Sequence, residues 1–218
     1  MTNRLAAPFA LLVGLCITTQ LAAQKAPAAA PKGATTAYDV APIGNEARYV
    51  IMEELFSIGT NKVVGKTKDV KGRIVVDQNG AIVKDSSKIT INAQTLQTDQ
   101  KRRDNSLKTQ TLETNTYPEV TLVPVQFEDA SADFAAGQEK SFTLVADLTV
   151  RNVTESTKWA VVAHRQGADI VGTASTAFAL EYFNIKKPVV AMVRSTADSV
   201  RLEYDFHFTS PPAPVVVK

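Results

Sequence analysis

Cysteine and histidine are nearly missing from this chain: Cys16 stands alone, and His164 and His207 are the two histidines among 218 residues. A single cysteine excludes an intrachain disulfide framework, and without cysteine partners there is no thiolate metal site. Charge of one sign is also lacking, since 24 Lys and Arg oppose 22 Asp and Glu for a formal net charge of +2. Such a balance produces no strong field to draw phosphates, which argues against a nucleic-acid binder. His-Glu-x-x-His, Gly-x-Ser-x-Gly and phosphate-cradling glycine loops are absent. The carboxylates Asp77, Asp85 and Asp99 are scattered rather than paired, and both histidines fall at outward positions of different predicted strands, so catalysis has little support. What remains is ordinary globular composition, 44% hydrophobic and 21% charged, sufficient for one domain with a core.

The longest apolar run lies at the N-terminus. Asn3-Arg4 precedes apolar residues 5–17, followed by polar residues and the small pair Ala22-Ala23, the order of a secretory signal peptide. Residues 1–23 are therefore expected to be removed near Ala23, taking Cys16 with them and placing the mature protein in the periplasm or outside the cell. Leu15, directly before Cys16, is too large for a lipoprotein processing site. Residues 24–44 are biased to Ala, Pro and Lys and read as a flexible linker; residues 211–218 read as a Pro-broken tail. The folded unit is expected over residues 45–210.

Within that unit the dominant period is two. Phe142, Leu144, Ala146, Leu148 and Val150 alternate with polar or outward residues, as do Val200, Leu202, Tyr204, Phe206 and Phe208. Six further segments, ARYVIMEELF, KDVKGRIVVDQ, SKITINAQTL, EVTLVPVQF, STKWAVVAHRQ and DIVGTASTAFALEY, bring the count to eight strands. Turn signals such as Gln78-Asn79-Gly80 and Gln166-Gly167 favour antiparallel neighbours. Eight long antiparallel strands can close into a barrel, which removes exposed edges; a sandwich is the competing architecture. The predicted inward set includes Tyr49, Ile51, Ile74, Ile91, Val120, Leu122, Leu144, Leu148, Trp159, Phe178, Leu202 and Phe206, interleaved with Gly72, Ala93, Ala146 and Ala174. An interior of this size is either filled by side chains or just able to hold one small ligand.

Between the third and fourth strands the chain turns polar. Residues 100–111 favour helix, with Leu107 and Leu112 as apolar anchors and Thr98 or Asp99 as the N-cap, before Tyr117-Pro118 forces an extended conformation. In a barrel, such an insertion lies over one mouth as a cover.

Three blocks carry a family resemblance. TLQTDQKRRDNSLKTQTLETNTYPEV contains Thr98, Arg103-Asp104, Leu107 and Tyr117-Pro118; FTLVADLTVRNVTESTKWAV contains Ala146-Asp147-Leu148-Thr149 and the turn Arg151-Asn152 before Val153-Thr154; SVRLEYDF follows near the C-terminus. In this order and spacing they resemble the YceI-like lipid- and polyisoprenoid-binding family over about residues 47–208. Members more often carry glycine at the positions of Ala146 and Asn152, and Asn152 is expected to supply the left-handed conformation such a glycine would give. The first strand departs further: Glu46-Ala47-Arg48-Tyr49 and Glu53 stand where many members have His-Ser and a later His. Phe183-Asn184-Ile185 likewise replaces an aromatic-Gly-aliphatic bend.

The resemblance implies an all-β, eight-stranded antiparallel lipocalin-like barrel with a short helical segment between strands 3 and 4, and an interior that holds a long apolar chain. The inward set above becomes the candidate lining, with Tyr49, Glu53, Arg102, Arg103 and Asp104 as candidate polar groups at the mouth. The expected protein is an exported, non-enzymatic carrier with no metal and no cofactor beyond a bound isoprenoid or lipid. Its expected partner is a hydrophobic small molecule such as a polyisoprenoid, quinone or fatty chain, and peripheral membrane contact and a homodimer are compatible with it. The competing expectation is a non-catalytic envelope interaction domain with a filled core.

Overall fold

The structure, a computed structural model, describes residues 34–56, 59–129, 138–187 and 193–210. The predicted signal peptide, residues 24–33 of the predicted linker and the C-terminal tail lie outside the described residues. Chain order gives β1 (Thr35–Val40), β2 (Glu46–Leu55), β3 (Gly59–Thr67), β4 (Val70–Asp77), β5 (Lys88–Asn92) and the helix α1 (Lys101–Ser106). Then follow β6 (Glu119–Glu128), β7 (Lys140–Val150), β8 (Val153–Gln166), β9 (Asp169–Ala179), β10 (Val193–Thr196) and β11 (Ser199–Thr209).

All of these strands belong to one antiparallel sheet that closes as an eight-stranded barrel. Three of the eight ring positions are each built from two consecutive strands. β1 and β2 share one, pairing β4 and β3 respectively on one side and β11 on the other; β10 extends β11 along β2. The remaining ladder runs from β4 through β5, β6, β7, β8 and β9 to β11, and the seam closes where Asp39 and Val40 of β1 meet Thr209 and Phe208. Closure pairs the strands around the ring, while the outer edge of β3 has only the Lys66–Gln97 bridge among the described residues. β1 begins, and β11 ends, at the same end of the barrel.

Local chemistry explains the bends. Between β1 and β2 the buried Asn45 donates through Nδ2 to the Ala41 carbonyl (2.8 Å), while its Oδ1 accepts from the Tyr204 hydroxyl (2.7 Å) and the His207 amide (3.1 Å). This one side chain satisfies the backbone where the ladder is interrupted. Pro124, which donates nothing, sits at a register shift between β6 and β7, where a strand interior tolerates proline.

Three expectations need correction. The stretch read as linker carries β1 in its last part: TTAYDV has no clear alternation, and its strand character comes from partners on β4 and β11. In the β7–β8 turn Arg151, not Asn152, takes the left-handed conformation, at φ 58°, because a two-residue hairpin here needs positive φ at its first position. Neither Thr98 nor Asp99 caps α1; Gln100 occupies that position without a side-chain cap bond, and Thr98 is held instead by Asp104. Asn184 does adopt the left-handed conformation, at φ 54°.

The barrel differs between its two ends. At the end where β1 starts and β11 finishes, Leu144, Ala146, Val161, Ala163, Phe206 and Phe208 are buried in one cluster, against which Ile74 packs. Phe127 meets Phe142 edge-on with centroids 5.4 Å apart. The other end encloses a cavity, beside which α1 lies between the third and fourth ring positions.

Candidate functional site

The cavity is about 770 Å³ and is lined mostly by apolar side chains, a size within the range of small-molecule sites. Its wall follows from the alternation of each strand: Tyr49 and Ile51 from β2, Val63 from β3, Ile91 from β5, Val120 and Leu122 from β6, Leu148 from β7, Trp159 from β8, Phe178 from β9 and Leu202 from β11. Ile74, Leu144 and Phe206, also predicted to line it, do not; they lie in the filled end. Alternation names the face of a strand but not the depth along the barrel. Tyr204, with its ring 5.9 Å from that of Phe206, marks the boundary between the two ends.

A close approach fixes Tyr49. Its cross-strand partner is Gly65, where a Cβ would stand 2.1 Å from the Tyr49 ring. Glycine therefore lets the ring lie flat across β3. Burial pushes the Tyr49 phenol well above its ordinary value; nearby Arg103 opposes the rise, and the Asp104, Glu53 and Asp99 carboxylates reinforce it.

The segment from α1 onward roofs the cavity. After Ser106 the backbone widens into a π-helical turn over Leu107–Thr111, closed by the Leu112 amide on the Leu107 carbonyl at 2.8 Å. Gln100, Arg102, Arg103, Leu107 and Leu112 line the cavity from this segment, whereas Asp104 does not. Asp104 is buried and its Oδ1 accepts from the Thr98 amide (2.8 Å) and hydroxyl (2.7 Å), so it braces the entry to the helix. Farther along, Arg151 pairs with Glu113 at 2.6 Å and lies 5.9 Å from the centre of the Tyr117 ring. This clip ties the roof to the β7–β8 turn.

Arg48 and Glu203, paired with each other, join the strand wall half-buried, and two further polar groups in it are buried. Glu53 is 7% exposed and Thr196 5% exposed, and they are opposite one another on β2 and β10. Both line the cavity, and neither Glu53 Oε2 nor Thr196 Oγ1 makes a hydrogen bond among the described residues. Arg103 Nη2 stands 3.5 Å from Glu53 Oε2, and its Nη1 pairs with Asp99. A buried polar atom left unsatisfied costs about 1–3 kcal/mol. Glu53 and Arg103, expected at the mouth, both line the cavity; Thr196 was not among the expected residues, because its place beside Glu53 follows only from the β2–β10 register. Arg102 is exposed at the rim.

The pattern of the YceI-like domain matches residues 38–208. The chain belongs to the YceI-like family. Among solved structures, this YceI-like chain is similar to a polyisoprenoid binding domain from Saccharophagus degradans implicated in plant cell wall breakdown, at 13% identity and TM-score 0.62, covering 80% of this chain and 98% of that one. It is also similar to Burkholderia cenocepacia BcnA, at 15% identity and TM-score 0.59, covering 78% and 99%. The Campylobacter jejuni YCEI protein gives 14% identity and TM-score 0.53, covering 68% and 85%. At these identities the likeness establishes the shared barrel. A comparison with curated proteins finds no match. Among the described residues of this YceI-like barrel, no three His, Cys, Asp or Glu side chains come together as a metal site.

Proposed function

We propose that this YceI-like protein is an exported binding module that takes the long apolar chain of an isoprenoid or similar amphiphile into its barrel, without catalysing a reaction on it. The observation that carries this reading is the apolar cavity of about 770 Å³ at one end of an otherwise filled barrel. The polyisoprenoid binding described for the Saccharophagus degradans domain of the same fold supports the choice of ligand class. Export rests on the N-terminal order of Asn3-Arg4, apolar residues 5–17 and Ala22-Ala23.

Affinity follows from burial. Each methylene removed from water contributes about 0.8 kcal/mol, so ten contribute about 8 kcal/mol before the cost of ordering the chain. Carrier function therefore needs no covalent chemistry. Phe56, exposed just beyond β2 at the cavity end, supports transfer at a bilayer surface.

The test is to purify the protein from cells that export it and extract it for lipid mass spectrometry beside a heat-released control. A stoichiometric long-chain species is expected. An empty protein that also fails to bind an apolar fluorophore would overturn the reading.

A further inference from the structure

Among the described polar side chains that line the cavity, Glu53 and Thr196 are the two that are buried, and their placement goes beyond a generic greasy pocket. They are cross-strand partners, each more than nine-tenths buried, each facing the cavity with an oxygen that has no hydrogen-bond partner among the described residues. Among the described residues the one other buried side-chain atom without a partner is Arg151 Nε, whose guanidinium pairs with Glu113 through Nη2; Asn45 and Asp104 accept or donate at 2.7–2.8 Å, and Thr157 bonds both the Ala146 carbonyl and the Trp159 indole. The nearest cation, Arg103, is turned toward Asp99 and Thr98 and reaches Glu53 Oε2 only at 3.5 Å.

The two oxygens differ in what they offer. A carboxylate oxygen accepts, whereas a threonine hydroxyl both donates and accepts. One ligand group satisfies both: a hydroxyl whose O–H donates to Glu53 and whose oxygen accepts from Thr196. An ionised phosphate has no donor for Glu53 and sets like charge against it. The surroundings do not reverse that preference, because Arg103, the guanidinium that reaches Glu53, is already paired with both Glu53 and Asp99.

We propose that Glu53 and Thr196 form a head-group subsite for a neutral hydroxyl, so that the cargo is a long-chain alcohol or phenol rather than a phosphate ester. This rests on the cavity reading given above. The head lies beneath α1, and the chain extends along Ile51, Val120, Leu148 and Trp159 toward the filled end.

The experiment compares three probes on the full-length protein by Trp159 fluorescence and fluorophore displacement: geranylgeraniol, its methyl ether and its monophosphate. The alcohol is expected to bind about 10- to 100-fold more tightly than the ether, as a hydrogen bond to a charged acceptor predicts. Glu53→Gln, close in shape to the native side chain, is expected to shrink that ratio, whereas Thr196→Val, which removes a donor that the alcohol and ether oxygens share, is expected to weaken both probes together. Circular dichroism confirms that each variant is folded. Equal affinity of alcohol and ether in the unsubstituted protein would overturn the subsite while leaving the cavity reading intact. Tightest binding of the monophosphate would overturn it in favour of an anion site at Arg102 and Arg103. Failure of all three probes to bind would overturn both readings.

Discussion

Adding bulk at two positions separates the open end from the filled end. Val120 is half-buried on β6 and faces the cavity, so Val120→Trp places an indole where the ligand chain would lie without displacing packed protein. If the indole excludes about three methylenes of ligand, the loss is about 2–3 kcal/mol, a weakening of roughly 30- to 150-fold. Ala146 is 0% exposed in the filled end, so Ala146→Leu forces extra carbons into closed packing. Overpacking of that kind costs about 1–3 kcal/mol, and each kcal/mol lowers Tm by about 2–4 °C in a domain of this size. Fluorophore binding and thermal unfolding, measured on both variants, should therefore cross: Val120→Trp loses affinity at nearly unchanged Tm, and Ala146→Leu loses Tm. A Val120→Trp protein that binds as tightly as the parent would refute the cavity as the site. A fall in its Tm matching that of Ala146→Leu would show that the space is not there.

The clip on the roof gives a second expectation. Arg151→Ala and Arg151→Gly both lose the Glu113 pair and the Tyr117 contact, worth about 1 kcal/mol together at this partly exposed site. Glycine also relieves the positive φ, by about 1 kcal/mol, so Arg151→Gly should melt about 2–4 °C above Arg151→Ala; identical melting would remove the backbone part of the argument. Alkaline pH supplies a third. Burial raises the phenols of both Tyr49 and Tyr204, so in the unfolded chain they ionise near pH ~10 while in the fold they remain protonated. The stability they contribute is complete below that pH and is lost as pH rises past it, by about 1.4 kcal/mol per pH unit for each phenol. Denaturant titrations across that range should show a shallower decline in Tyr49→Phe and shallower still in the double variant with Tyr204→Phe; an unchanged slope would contradict the burial argument.

Strand periodicity carried most of the architecture. Alternation over Phe142 to Val150 and over Val200 to Phe208 is written into single strands by the pleat, so it survives without knowledge of neighbours. β3 was missed because its inward positions, Val63, Gly65 and Thr67, are small or polar; at Gly65 the reason is that Tyr49 occupies the space a side chain would need. Ile74, Leu144 and Phe206 were placed on the correct face but at the wrong end, since depth depends on the stagger between strands. Asp104 was read as a mouth group because a helix of less than two turns gives too few residues to tell its brace from its rim. Thr196 had no local signal, and only its pairing with Glu53 gives it meaning.

The placement of the start of β1 and the finish of β11 has a practical consequence. β1 enters and β11 leaves beside one another at the filled end, where Asp39 meets Thr209, while α1 and the cavity occupy the opposite end. A support, label or fusion joined just before β1 or just after β11 would therefore meet the stoppered base of the barrel. The entrance would point away from the attachment, and cargo exchange could be followed on an immobilised surface without the anchor standing in its path.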